Sequence, residues 1–256
     1  MSDISYKPII SEMRWSYSRV NSFKDCQYKW FLKYIKGIKE FPQFYAWYGK
    51  FIHKLIEEYY IGKIKKESLT TAFLINFSKD VKGLRPKSSI VKNYIEAGKT
   101  YFNNFKPFPY KTIAVEKEIE FDINGVPFIC FIDYIGEDNG DIIIIDNKSR
   151  KLNQRSKGKK PTKNDKLIDD MMKQLYLYSA AIKKEYGVFP KYLCFNCFFN
   201  GEFIKEEFDI QKYNETIDWV INTIKSIEDT GEFPANPEYF RCKYLCGVSD
   251  CCDFCE

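Results

Sequence analysis

The sequence predicts an α/β chain in which a central mixed sheet is flanked by helices, with a helical N-terminal region and a cysteine-rich C-terminal tail. Three observations carry this. Apolar residues recur at helical spacing through the first hundred positions; three short β-branched and aromatic runs then follow with tight turns between them; helix and strand patterns alternate from there to about residue 229. With 256 residues, 45% hydrophobic and 18% aromatic, there is apolar mass for one substantial core. A single domain over 1–256 is therefore expected: a mainly helical part at 1–110, a sheet and helix at 111–212, and a helix with the tail at 213–256.

The elements follow in chain order. In "WSYSRVNSFKDCQYKWFLKYI", Ser16 or Ser18 caps a helix on which Val20, Phe23, Gln27, Trp30, Phe31 and Tyr34 recur at spacings of three and four, ending near Gly37. "AWYGKFIHKLIEEYYIGKIKK" reads as a second helix with Phe51, Ile52, Leu55, Ile56 and Tyr59 on its apolar face, and further helices are expected over 69–106. "IAVEKEIEFDI", "VPFICFIDYI" and "DIIIIDNKSR" form a β-meander, punctuated by Asn124-Gly125 and Asp138-Asn139-Gly140. After a lysine-rich segment come a helix from about Asp165 to Tyr186, two strands, "KYLCFNCFF" and "EFIKEEFDI", joined by Asn200-Gly201, and a helix near 213–229. There is no internal repeat.

Lys and Arg number 40 against 35 Asp and Glu, a net charge of +5 that permits a polyanionic partner without requiring one. No apolar run is long enough to cross a bilayer, and "MSDISYKPII" lacks a basic region followed by a long apolar one, so a soluble, unexported protein without a membrane partner is expected. Five of the nine cysteines fall in the last fifteen residues, a clustering that favours metal ligation over disulfides. Cys194 and Cys197, in the strand "YLCFNCFF", read as core thiols.

Residues i and i+2 of a strand share a face, so Asp146 and Lys148 project together from the end of the isoleucine run. Asp133, on the preceding strand of the meander, can converge on them, and two carboxylates beside a lysine suit a hard cation such as Mg²⁺ or Mn²⁺. An Asp–Lys pair at a strand end is also an ordinary surface feature, and the sole histidine, His53, is either a packed residue or a ligand. Gln174 and Tyr178 lie four apart and share a helical face. Residues 148–166 hold nine Lys or Arg against one acid, Asp165; this reads as a mobile basic loop leaving the site, with Arg150, Lys151, Arg155, Lys157, Lys159 and Lys160 placed for phosphate contact.

Taken in order, "SYSRVNSFKDCQYKWFLKY", "GKFIH", Asp133 in "FIDYI", "IIDNKS" and "QLYLY" resemble the RecB-like branch of the PD-(D/E)XK nuclease superfamily over nearly the whole chain. The resemblance implies a restriction-endonuclease-like fold and a Mg²⁺- or Mn²⁺-dependent deoxyribonuclease, with His53, Asp133, Asp146 and the Asn147 backbone carbonyl as metal ligands. It implies Lys148 as active-site lysine, Gln174 and Tyr178 as the glutamine-tyrosine motif that positions DNA, and Glu116 as a further acidic position. It also implies a [4Fe–4S] cluster on Cys26, Cys242, Cys246 and Cys252, with Cys251 and Cys255 as alternates, although the tail spacing departs from the family's pattern and a zinc site on tail cysteines is the competitor. The expected substrate is DNA, single-stranded or with free ends, in a bacterial or phage-infected cytoplasm, with recombination or CRISPR proteins as partners. A non-catalytic nucleic-acid-binding or scaffold protein organised by the cysteine centre is the alternative.

Overall fold

A computed structural model describes residues 6–255; the first five residues and Glu256, included in the N-terminal reading and in the bounds of the expected domain, lie outside the described residues. The helical first part comprises α1 (Lys7–Ser11), α2 (Tyr17–Asp25), α3 (Gln27–Tyr34), α4 (Phe44–Tyr60), α5 (Leu69–Asp80) and α6 (Ser88–Asn103). The meander supplies β1 (Lys111–Ile123), β2 (Val126–Asp138) and β3 (Asp141–Lys148); α7 (Lys163–Tyr186), β4 (Tyr192–Cys197), β5 (Glu202–Glu207), α8 (Ile210–Glu228) and α9 (Tyr239–Tyr244) complete the order. No helix among the described residues is long and apolar enough to cross a membrane.

The five strands lie in sequence order, antiparallel except where β4 runs parallel to β3. A parallel neighbour needs a crossover, and α7 provides it. Its start is fixed by a capping box: the Thr162 side chain accepts from the Asp165 amide while the Asp165 side chain accepts from the Thr162 amide, so two otherwise orphaned N–H groups are satisfied. Gly187, at φ 77°, ends the helix.

The isoleucine run is uninterrupted because β3 is covered on both faces. Ile142 and Ile144 share a core with Leu193, Phe195, Met172 and Leu175, while Ile143 and Ile145 pack with Tyr134 and Cys194 on the other face. A further core joins α4, α5 and α6 through Phe44, Phe51, Ile52, Phe73 and Phe102.

Two expectations are corrected. The helix foreseen from Ser16 to Gly37 is broken at Cys26, which adopts φ −162° and ψ 110°, although Ser16 does cap its first half by accepting from the Arg19 amide. The apolar periodicity survives the break because Val20, Phe23 and Trp30 still bury into one core. The basic segment expected to be mobile is tied down as far as Ser156. Leu152 is fully buried, Asn153 and Asn164 exchange hydrogen bonds, and Ser156 donates to Asp165 from both its amide and its hydroxyl.

The α5–α6 packing yields a stability test. A Cβ at Gly98 would lie 2.3 Å from the ring of the fully buried Phe73. Gly98→Ala gains helix propensity of about 1 kcal/mol but forces a core ring to move, at about 1–3 kcal/mol. Thermal unfolding should show a net loss of stability, and a higher Tm would contradict this packing.

Candidate active site

Two tight turns set the register that builds the site. Asn124-Gly125 and Asn139-Gly140 each place both central residues at positive φ, the two-residue hairpin geometry that matches strand twist. From the second turn the β2–β3 ladder runs from Asp138↔Asp141 to Tyr134↔Ile145, and the next positions along the strands are Asp133 and Asp146. From the first turn, the β1–β2 pairs Val115↔Tyr134 and Lys117↔Ile132 bracket Glu116 opposite Asp133. Three carboxylates thus occupy corresponding positions on three adjacent strands.

The strands are distorted at this row. Glu116 has φ 47°, a left-handed conformation that is uncommon for a non-glycine residue. In β2 the inside-outside alternation slips: Phe128, Cys130 and Ile132 bury into the same core as Ile135, whereas Tyr134 faces the opposite one. Where the ladder ends, the Asn147 amide donates to Asp133 Oδ2 at 2.6 Å.

His53, on α4, meets the other side of the same peptide. Its Nε2 lies 2.9 Å from the Asn147 carbonyl oxygen, which must be the acceptor, so Nε2 carries a proton and Nδ1 is the ring nitrogen left to face the carboxylates. That nitrogen stands 3.4 Å from Asp133 Oδ2. A carboxylate oxygen and a ring nitrogen facing one another are held together by a positive charge, either a proton on the ring or a cation beside it, and one ligand atom each from His53, Glu116 and Asp133 lies within 4.8 Å of the others. This nitrogen-and-carboxylate set fits a hard divalent cation. The Asn147 carbonyl, expected as a ligand, already spends one lone pair on His53.

Asp146 is held by the opposite layer. Its Oδ1 accepts from Gln174 Nε2 at 2.8 Å; its Oδ2 stands 2.6 Å from Lys148 Nζ as an ion pair out of line for a hydrogen bond, and so remains buried without a hydrogen-bond partner. Lys148 instead donates to Gln174 Oε1 at 2.7 Å, and Gln174 donates its other hydrogen to the Tyr178 hydroxyl at 2.7 Å. Tyr178 is buried, so the pair expected to meet DNA is occupied in orienting Asp146 and Lys148. Burial pushes the Asp133 carboxyl up to about 6, against the lowering effect of His53; burial and then the Asp133 charge push Glu116 up to about 7.

A profile of the PD-(D/E)XK nuclease superfamily matches residues 14–253. The chain belongs to that superfamily. Its fold resembles the crystal structure of a protein from Eubacterium rectale provisionally named an exonuclease, at 12% identity and TM-score 0.53 over 98% of this chain and 92% of the other. The structure of SSO0001 aligns with 80% of this chain and 95% of its own at 17% identity, but at TM-score 0.33 it is too distant to show a shared fold. No curated protein matches the sequence.

This PD-(D/E)XK chain carries a second constellation. Cys26, in the break between α2 and α3, lines a cavity of about 180 Å³ with Cys242, Cys246, Cys252 and Cys255, while Cys251 is exposed and is not among the lining residues. Within it the Cys255 thiol is in hydrogen-bond reach of both Cys242 and Cys252. Of the basic residues, Arg150, Lys151, Lys157, Lys159 and Lys160 are exposed, whereas Arg155 is committed to Glu206 at 2.5 Å and Asp169 at 2.7 Å.

The raised carboxyls fix the sign of a pH effect. A group whose folded pKa exceeds its unfolded value stabilises below the unfolded value, and that contribution is lost as pH rises through the folded one. In EDTA, the wild type should therefore lose Tm relative to Glu116→Gln between about pH 4.5 and 7, and Mg²⁺ should restore more Tm to the wild type at pH 8 than at pH 5. Parallel pH curves for the two proteins would contradict the burial of Glu116 beside Asp133.

Proposed function

We propose that this nuclease is a metal-dependent deoxyribonuclease of the RecB-like branch, acting as one domain and as an exonuclease in recombination, repair, or phage or CRISPR DNA processing. The observation that carries the reading is the buried Asp146 Oδ2, without a hydrogen bond, next to the Asp133–His53 pair and Lys148. His53 Nδ1, Glu116 and Asp133 would hold Mg²⁺ or Mn²⁺, with Asp146 as the further carboxylate. A cation bound there supplies Lewis-acid polarisation of the scissile phosphate.

The chain's own residues do the rest. Lys148 offers ammonium hydrogens to the attacking water or to phosphate oxygens as charge develops, from a position fixed by Gln174 Oε1. Gln174 and Tyr178 are positioning residues, since each acts through Asp146 or Lys148. Arg150, Lys151, Lys157, Lys159 and Lys160 take backbone phosphates without reading sequence, and Arg155 braces the loop. Cys26, Cys242, Cys246 and Cys252 are read as holding a [4Fe–4S] cluster, with Cys255 as the alternate inside the cavity; the presence of Cys26 in the cavity wall supports this set over a zinc site on tail cysteines alone.

End-labelled single- and double-stranded DNA should be degraded with Mg²⁺ or Mn²⁺ and not with EDTA. Lys148→Ala should cost at least about 100-fold in kcat, a typical loss for one transition-state donor. Gln174→Ala should lower kcat with little change in KM. Cleavage retained in the Asp146→Ala, Lys148→Ala double variant would sink the assignment.

Metal analysis tests the second centre on its own. Anaerobically purified protein should carry iron and acid-labile sulfide in equal amounts, both lost in Cys26→Ser. Stoichiometric zinc without sulfide would replace the cluster with the competing site.

A further inference from the structure

The active-site cleft does not end at the metal ligands. Its cavity of about 420 Å³ is lined by His53, Glu116 and Ser149 together with Lys50 and Lys54 of α4. The same two lysines also line an adjoining hollow of about 190 Å³ whose other walls are Trp47, Phe51, Asp80 and Lys82. The two hollows are therefore neighbours that share a lysine wall.

Trp47, Lys50 and Lys54 are spaced three and four apart and form one stripe along α4. Trp47 is six residues from His53, about 9 Å at the helical rise of 1.5 Å per residue. Trp15 and Trp30 are buried in the core, whereas Trp47 is partly exposed beside a cluster of cations. Lys50 Nζ lies 5.5 Å and Lys82 Nζ 5.7 Å from its ring centroid, and Lys54 stands 3.5 Å from Asp80, the one acid lining the hollow. Lys82 begins the exposed basic turn "KGLRPK", in which Arg85 and Lys87 are also exposed. That turn is pinned against the start of α4: the Leu84 amide donates to Gln43 Oε1 at 2.8 Å, and Gly83, at φ 83°, comes so close that a Cβ there would lie 2.8 Å from Gln43 Cα.

An indole face between lysines is the arrangement by which proteins hold unpaired nucleotides: a base stacks on the ring while the cations take the flanking phosphates. A paired base cannot present its face to a side chain in this way. We infer that Trp47, with Lys50, Lys54 and Lys82, forms a subsite for an unpaired DNA strand, seating a base within a few nucleotides of the phosphate being cut. This rests on the nuclease reading above and adds a base-stacking subsite on α4 and the path an unpaired strand takes to the carboxylates.

The test reads binding in EDTA, where cleavage is excluded, by titrating the full chain with oligothymidylate and following tryptophan fluorescence. Quenching should occur in the wild type and disappear in Trp47→Phe, while Trp47→Phe keeps most of the affinity because phenylalanine still stacks. Trp47→Ala should weaken binding on the order of tenfold, and Lys50→Ala with Lys82→Ala should flatten the dependence of affinity on salt by roughly 0.7 per lost phosphate contact. Unchanged affinity and salt slope in these variants, absence of binding at low salt, or equal quenching by blunt duplex would each overturn the subsite. Binding through Trp47 without cleavage in Mg²⁺ would leave the subsite standing and remove the nuclease reading instead.

Discussion

The site depends on a single peptide unit, that of Asn147. At the point where β3 parts from β2, its N–H goes to Asp133 Oδ2 and its C=O receives the His53 Nε2 proton, so one rigid plane orients a carboxylate and an imidazole together. The side chain secures it from the next strand: Asn147 Oδ1 accepts from Asn196 Nδ2 at 2.7 Å, and Asn196 gives its other hydrogen to the Tyr101 hydroxyl at 2.7 Å. Three carboxylates gathered on adjacent strands repel one another, and burial strengthens that repulsion. Lys148, the Asn147 amide and Gln174 each offset part of it. The remainder is repulsion that a bound cation would offset.

Much of the site could be read in advance from two turns. Counting back from Asn124-Gly125 pairs Glu116 with Asp133, and counting back from Asn139-Gly140 pairs Asp133 with Asp146, because a two-residue turn fixes the whole register. The i, i+2 spacing of Asp146 and Lys148 and the helical spacing of Gln174 and Tyr178 were legible for the same reason: they are local. What local pattern could not foretell was where side chains from distant elements would land. His53 meets Asn147 only through the docking of α4 on the sheet, and Gln174 turns to Asp146 and Lys148 because α7 packs across β3. The break at Cys26 was hidden because both halves keep their apolar faces in one core. Composition made the segment after Lys148 read as mobile, but Asn164, Asp165 and Glu206, supplied by α7 and β5, anchor it.

The carboxylate row and the cysteine cavity share no residue, and their supports differ. The row is built by backbone register and tuned by polar side chains. The cavity is built by aromatic packing: Phe233 stacks on Phe31 at 4.9 Å and on Trp30 at 5.8 Å, bringing the segment before α9 against α3. Hydrogen bonds follow the same seam. The Tyr28 amide donates to the Pro234 carbonyl, Asn236 Nδ2 donates to the Asp25 carbonyl, and the Asn236 amide points to Cys26 Sγ at 3.5 Å.

That seam makes the chain a ring. Cys26 and Cys242 are separated by 216 positions, so any bond made through the cavity closes a loop spanning most of the sequence. On the chain-entropy relation for cross-links, such a closure removes conformational freedom from the denatured ensemble worth about 5 kcal/mol. The gain comes from restricting the open chain and not from any new contact in the closed one. Reforming so large a loop is also the least local step in folding, the kind that is slow when its fastening is absent. A centre in the cavity would accordingly govern how long the protein stays folded, leaving the rate of phosphodiester cleavage to the strand row.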